Sequence, residues 1–195
     1  MKHPMKILHV VCAGALLVLA GSLEPRIAYG KEKPAVTTFD NVTYVERWTN
    51  LGTKAAETVG QYEFTPAGQT DLNAWSQMVT LLEYRKVRGG EDLAKTANTV
   101  LGTYTSHGGK VLRTNSVPRT SSKAAEYFIA VVLPGSHYLE AAFARFRMND
   151  GIGTAIVYSR RFYGKTSADD LGTWAKSHGA STEQTLMQWD AMPRL

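Results

Sequence analysis

Beyond residue 30 the chain holds three histidines, His107, His137 and His178. No two of them share the i, i+4 spacing of a zinc-binding helix, and none has an acidic neighbour at ligand spacing. Two fall at predicted helix ends and one in a Pro-Gly-Ser-His turn, so no metal site is expected. Ser136, His137 and Asp150 have the residue types of a hydrolase triad. However, a Gly-x-Ser-x-Gly elbow is missing, and adjacent Ser and His side chains do not normally face one another. The glycine pairs Gly89-Gly90 and Gly108-Gly109 bracket a helix, and Gly151-Ile152-Gly153 belongs to a hairpin. None has the spacing of a phosphate or dinucleotide loop. The sequence therefore supplies no catalytic set and calls for no cofactor.

The arginines are more informative. Arg145 and Arg147 fall on one side of a predicted strand, and Arg160 and Arg161 fall late in the next. Tyr158 and Phe162 are interleaved with them, and arginine together with aromatic residues is common at binding surfaces. These six residues, with Trp75 as a core anchor or stacking platform, are the candidate binding set. The competing reading is a solvated sheet face whose arginines pair with helix carboxylates such as Asp169, Asp170 and Glu183.

The apolar content of 44% and charged content of 20% belong to a folded chain. Its 195 residues suit one domain able to bury a core without disulfides or metal. Of the formal charge of +5, Lys2, Lys6 and Arg26 against Glu24 contribute +2, which leaves +3 for residues 31–195. That basic bias is too small and too dispersed for a dedicated nucleic-acid binder. Lys2 and Lys6 precede an apolar run from Ile7 to Ala20, the pattern of an export leader and too short for a typical membrane span. Small residues at Ala28 and Gly30 predict a cut before Lys31, and Ala20-Gly21-Ser22 offers an earlier one. Residues 1–30 are thus expected to be a signal peptide and the mature protein periplasmic or secreted, with no membrane segment. The one cysteine, Cys12, lies in the leader, so thiol chemistry and disulfides fall away with it.

The elements follow from periodicity and turn signals. Residues 31–39 read as a flexible lead-in and 40–195 as one domain. Val42 to Trp48 alternates as a half-buried strand, Gly60 to Thr65 reads as a second, and Gln77 to Tyr84 as a third. Thr53 to Val59 is ambiguous between helix and strand. Leu93, Ala97, Val100, Leu101 and Tyr104 form one apolar stripe, predicting a helix from Glu91 to about Thr105. Lys110 to Val117 alternates weakly, as an edge strand does. Tyr127 to Leu133, Tyr138 to Met148 and Thr154 to Tyr163 are three β-prone runs joined by Pro134-Gly135-Ser136 and Asn149-Asp150-Gly151. They predict an antiparallel meander at the middle of the sheet. Ser167 with Asp170 predicts a capped helix ended by His178-Gly179, and Ser181 with Gln184 a second short helix from Thr182 to Asp190.

The expected class is α+β, a twisted antiparallel sheet with flanking helices. The element order, with the stretch EFTPAGQTDLNAWSQMVTLLEY from Glu63 to Tyr84, resembles the Mog1/PsbP-like α/β/α sandwich, over most of Asp40 to Asp190. The resemblance implies that fold. Its members include photosystem subunits, a partner of a nuclear-transport GTPase and bacterial envelope proteins, and it carries no functional residue onto this chain. The residues favour an exported, non-enzymatic binding protein that engages a protein partner or an anionic surface, an inhibitor or immunity-type role being one form. The alternative is a carrier of a small amphipathic ligand held between sheet and helices. An unrecognised hydrolase is the third reading.

Overall fold

The computed structural model describes residues 34–51 and 59–191. The predicted leader and most of the Thr53 to Val59 stretch lie outside them. One antiparallel sheet of eight strands carries one helix on each face. The strands are β1 (Val36–Phe39), β2 (Val42–Asn50), β3 (Val59–Pro66), β4 (Gln77–Tyr84), β5 (Lys110–Val117), β6 (Glu126–Pro134), β7 (Tyr138–Asn149) and β8 (Ile152–Tyr163). Their order across the sheet is β1-β2-β3-β4-β8-β7-β6-β5. Helix α1 (Gly90–Ser106) follows β4, and α2 (Ser167–Gln188) follows β8.

The meander of β6, β7 and β8 lies inside the sheet, as its apolar runs require. The β7–β8 turn is the two-residue loop Asp150-Gly151, both residues at positive φ (48° and 76°) between the paired Asn149 and Ile152. That is the turn whose twist matches paired strands. On one face α1 places Leu93, Ala97, Val100 and Tyr104 against Leu82, Val131, Ala142, Phe146 and Val157. On the other, Leu171, Trp174 and Leu186 of α2 cover Phe128, Phe143, Ile156 and Tyr158.

Three expectations need correction. Val36–Phe39 is not lead-in but a strand, paired from Val36↔Val45 to Phe39↔Val42, with Thr37 and Phe39 buried. Its signal was present: Asp40 and Asn41 both take positive φ (48° and 61°) in a two-residue hairpin loop. The two C-terminal helices are one helix of 22 residues. Gly179 costs about 1 kcal/mol in a helix interior, yet Leu171, Trp174, Thr182 and Leu186 form a single buried stripe that runs through it. His178 continues that side by stacking on Trp174, with centroids 6.0 Å apart. The N-cap of α2 is Thr166, not Ser167. It makes no side-chain cap bond, and its hydroxyl donates instead to the Asp170 carboxylate at 2.8 Å.

Six tyrosines, Tyr44, Tyr62, Tyr84, Tyr104, Tyr138 and Tyr158, are pushed above the ordinary phenol value of 10.0, chiefly by burial. Their neutral form is favoured by folding, so the stability they contribute is complete below pH 10 and falls as pH rises beyond it. A spectrophotometric phenol titration is expected to show these tyrosines ionising late, together with loss of the folded circular-dichroism signal. Independent ionisation near pH 10 in a chain that stays folded would contradict this packing.

Candidate functional site

Adjacent residues on a strand point to opposite faces, and this divides the arginine set. Arg145, Arg147 and Arg160 lie on the α2 face, whereas Arg161 lies on the α1 face with its neighbour Glu140. Position along the sheet divides it again. Arg145 and Arg147 pair with Ile156 and Thr154, while Arg160 pairs with Ala141. Four to six strand positions therefore separate the two groups, roughly 13–20 Å at 3.3 Å per residue. The four arginines do not make one patch.

Arg145 is 4% exposed. Its Nε donates to Glu126 Oε2 at 2.7 Å, and Nη1 donates to the carbonyl oxygens of Leu186 and Trp189 at 3.1 and 3.0 Å. Those carbonyls end α2, where a cation is favoured; the Leu186 oxygen also accepts the Trp189 N–H at 3.3 Å. Arg147 pairs with Asp190, which also lies 3.5 Å from Arg145 Nη2. Desolvation would raise the Asp190 pKa. The Arg147 hydrogen bond and the charges of Arg147, Arg145 and Lys123 outweigh it and hold the carboxyl below its ordinary 3.8.

Arg161 is buried at the other end of the sheet. Its guanidinium carbon lies 3.9 Å from the centre of the Trp75 ring and 4.0 Å from that of Tyr138. Its Nε donates to the buried Glu140 Oε2 at 2.9 Å. The Trp75 loop is tied down by Tyr163, whose hydroxyl donates to the Trp75 carbonyl at 2.7 Å. Trp75 is thus an anchor clamped on a cation, not an open stacking platform. Its buried indole N–H has no protein partner, and a cavity of about 30 Å³ beside it is also lined by Gln61, Thr80, Glu140 and Ser159. That volume holds about one or two waters, against the ~300–1,000 Å³ of a small-molecule pocket.

Arg160, Phe162 and Tyr158 meet around Trp174. The Arg160 guanidinium lies 5.5 Å from the Trp174 ring and 5.6 Å from the Phe162 ring, and the Tyr158 ring centre is 6.5 Å from that of Trp174. This aromatic cluster seals the edge of the α2 core and leaves the Arg160 head half-buried. Ser136-His137 and Asp150 flank opposite ends of the twelve-residue β7, roughly 40 Å apart at 3.3–3.4 Å per residue, so no triad forms. Among the described residues, no group of three or more His, Cys, Asp or Glu side chains is placed to hold a metal ion. No helix of the described residues is long and apolar enough to cross a membrane.

Two surfaces absent from the sequence-derived set stand out. Strand β5 is exposed at every one of its eight positions, with Val111, Leu112 and Val117 each 43–48% open. Among the described residues it pairs only with β6 and forms one margin of the sheet. The signal was its weak alternation: with apolar and polar residues on both sides, neither face is committed to a core. Next to it, a cleft of about 700 Å³ opens between the first turn of α1 and the loop 119–125. Arg88, Arg119 and Lys123 line it. A smaller recess of about 220 Å³, reaching Arg147 and Asp190, shares its Ser122–Ala124 wall. These cations are far apart in sequence, so no local pattern could have grouped them.

Comparison with protein-family models and with curated proteins returned no match.

Replacing Arg145 by Met would leave Glu126 and the Trp189 carbonyl unanswered. A loss of about 3–5 kcal/mol is expected, the usual cost of breaking a buried pair, read by urea unfolding; an effect below 1 kcal/mol would refute the clasp. Because the Asp190 carboxyl is depressed, its contribution is complete above pH 3.8 and fades as pH falls through the lower folded value. Asp190→Asn is expected to flatten that part of the acid-unfolding profile, and an unchanged profile would remove Asp190 from the clasp.

Proposed function

We propose that this chain is an exported, non-enzymatic binding protein of the bacterial envelope that engages a protein partner. An inhibitor or immunity-type role is one form of that activity. The leader-like pattern of residues 1–30 supports the periplasmic or secreted setting. An antiparallel sheet with a helix on either face agrees with the Mog1/PsbP-like sandwich as the fold of this reading.

The observation that carries the proposal is β5. Eight consecutive strand residues present one backbone edge that no described strand pairs, together with three exposed aliphatic side chains. Such an edge takes an added strand from another chain, with backbone bonds supplying affinity and alternate side chains supplying selectivity. The register irregularity between Val111 and Arg113 bends the strand and limits indiscriminate pairing. Arg113 is held by Glu183 at 3.1 Å, so the α2 side of the strand is already organised for contact.

A carrier role draws less support. The cavity at Trp75 is water-sized, and the clefts near Lys123 open to solvent.

In a pull-down from periplasmic extract, Leu112→Lys/Val117→Lys is expected to lose a partner that wild type retains. The melting temperature should hardly move, because both sites are exposed and surface changes typically cost within about 0.5 kcal/mol. Equal recovery by wild type and the folded variant would remove β5 as the contact.

A further inference from the structure

We infer that the cleft between the first turn of α1 and the loop 119–125 binds an acidic, extended segment of the partner protein. The inference rests on the binding reading above and specifies the chemistry of what is bound.

The cleft measures about 700 Å³ and is lined by Arg88, Arg119 and Lys123 against the single acid Glu91. Among the described residues, the side chains of these three cations make no ion pair or hydrogen bond. This sets them apart from the other arginines considered. Arg145, Arg147 and Arg161 are spent on Glu126, Asp190 and Glu140. Arg113 is spent on Glu183. Lys123 shares the field of Asp190, and Glu91 lies in the same wall, yet the cations around the concavity stay in excess, a charge that an anionic occupant offsets.

The walls argue for a peptide. Tyr127 and Met148 line the cleft beside the cations, so an occupant with both carboxylates and apolar atoms finds complementary surface. A concave site does not follow a planar lipid surface, and the charge excess of three cations over one acid is small for a polyanionic nucleic acid. The loop wall is shaped in advance. Thr120 Oγ1 accepts from the backbone N–H of Ser122 and Lys123 at 3.3 and 3.0 Å, and Thr120 N–H donates to the Lys123 carbonyl at 2.9 Å. Little ordering is therefore left for the binding step. The end of α1 is not what recognises the ligand, since Glu91 and Asp92 already answer its positive charge. The recess beyond Lys123 leads to Arg147 and Asp190, where the segment would leave the cleft. Arg119 follows Val117 by two residues, so a chain lying on β5 arrives at the cleft without a long connection.

The test is fluorescence anisotropy with the full chain and a short labelled glutamate-rich peptide carrying a few leucines. The same peptide with glutamine for glutamate is the control. The glutamate peptide is expected to bind, the glutamine peptide not to bind, and added salt to weaken binding. Arg119→Glu/Lys123→Glu should weaken it by about tenfold or more, while Lys165→Glu/Lys176→Glu, an equal charge change elsewhere on the surface, should not. Circular dichroism and melting temperature establish that each variant is folded.

Equal weakening by both double variants would show only net charge and overturn the cleft. Inorganic phosphate displacing the peptide, or tighter binding to phosphatidylglycerol vesicles than to the peptide, would overturn the peptide assignment. The two readings also fail separately. If the Arg119/Lys123 variant still recovers the partner that the β5 variant loses, the cleft falls and the binding role stands. If neither variant changes recovery but the acidic peptide binds the cleft, the β5 contact falls and the cleft stands.

Discussion

A single buried guanidinium holds the two ends of the described chain together. Arg145 sits in the middle of the sheet beneath the last turn of α2, and its Nη1 donates to the carbonyls of Leu186, which also accepts from the Trp189 N–H, and of Trp189 at the C-cap. With that turn fixed, Leu186 enters the core and Trp189 packs edge-on against Phe39 of β1, centroids 5.1 Å apart. Thr37 then donates to the Ala191 carbonyl at 3.0 Å. The N-terminal hairpin and the C-terminal helix therefore close over the same core, through a cation that Glu126 and Asp190 balance.

The opposite face solves a related problem differently. On the α1 face Arg161 is held between the faces of Trp75 and Tyr138 and neutralised by Glu140. Aromatic faces carry negative charge density, which compensates part of what a cation loses on leaving water. The arrangement also explains the glycine that opens the β6–β7 turn: a Cβ on Gly135 would come within 2.5 Å of the Tyr138 ring. Both buried arginines thus serve architecture. The cations without an ion-pair partner among the described residues, Arg88, Arg119 and Lys123, gather where α1 begins.

That division of labour bears on what the molecule does. The long central strand β7 carries the Ser136-His137 turn at one end and Asp150 at the other, so its rigidity keeps those hydrolytic residue types apart. The same length leaves β5, paired only on its inner side, as an extended margin beside the cation-lined cleft. A margin that offers backbone bonds and a cleft that offers unpaired charge suit recognition of another chain.

Strands β2 to β8 and α1 were legible in the sequence because each rests on local rules. Period-two runs, the turn at Asp150-Gly151 and the stripe from Leu93 to Tyr104 specify local geometry without distant partners. The α+β class follows from them. Tertiary packing decided the rest. Burial of Trp174, Thr182 and Leu186 on one surface carries α2 through Gly179, overriding a local stop signal. The α2 core also recruits Phe39, and with it a first strand that reads as a tail in isolation. Sequence spacing gathered Arg145, Arg147, Arg160 and Arg161 into one set. Sheet register sent them to two faces and two ends, because strand direction and pairing, not proximity in the chain, determine which charges meet. For the same reason Arg88, Arg119 and Lys123, from three separate segments, come together only in the folded protein.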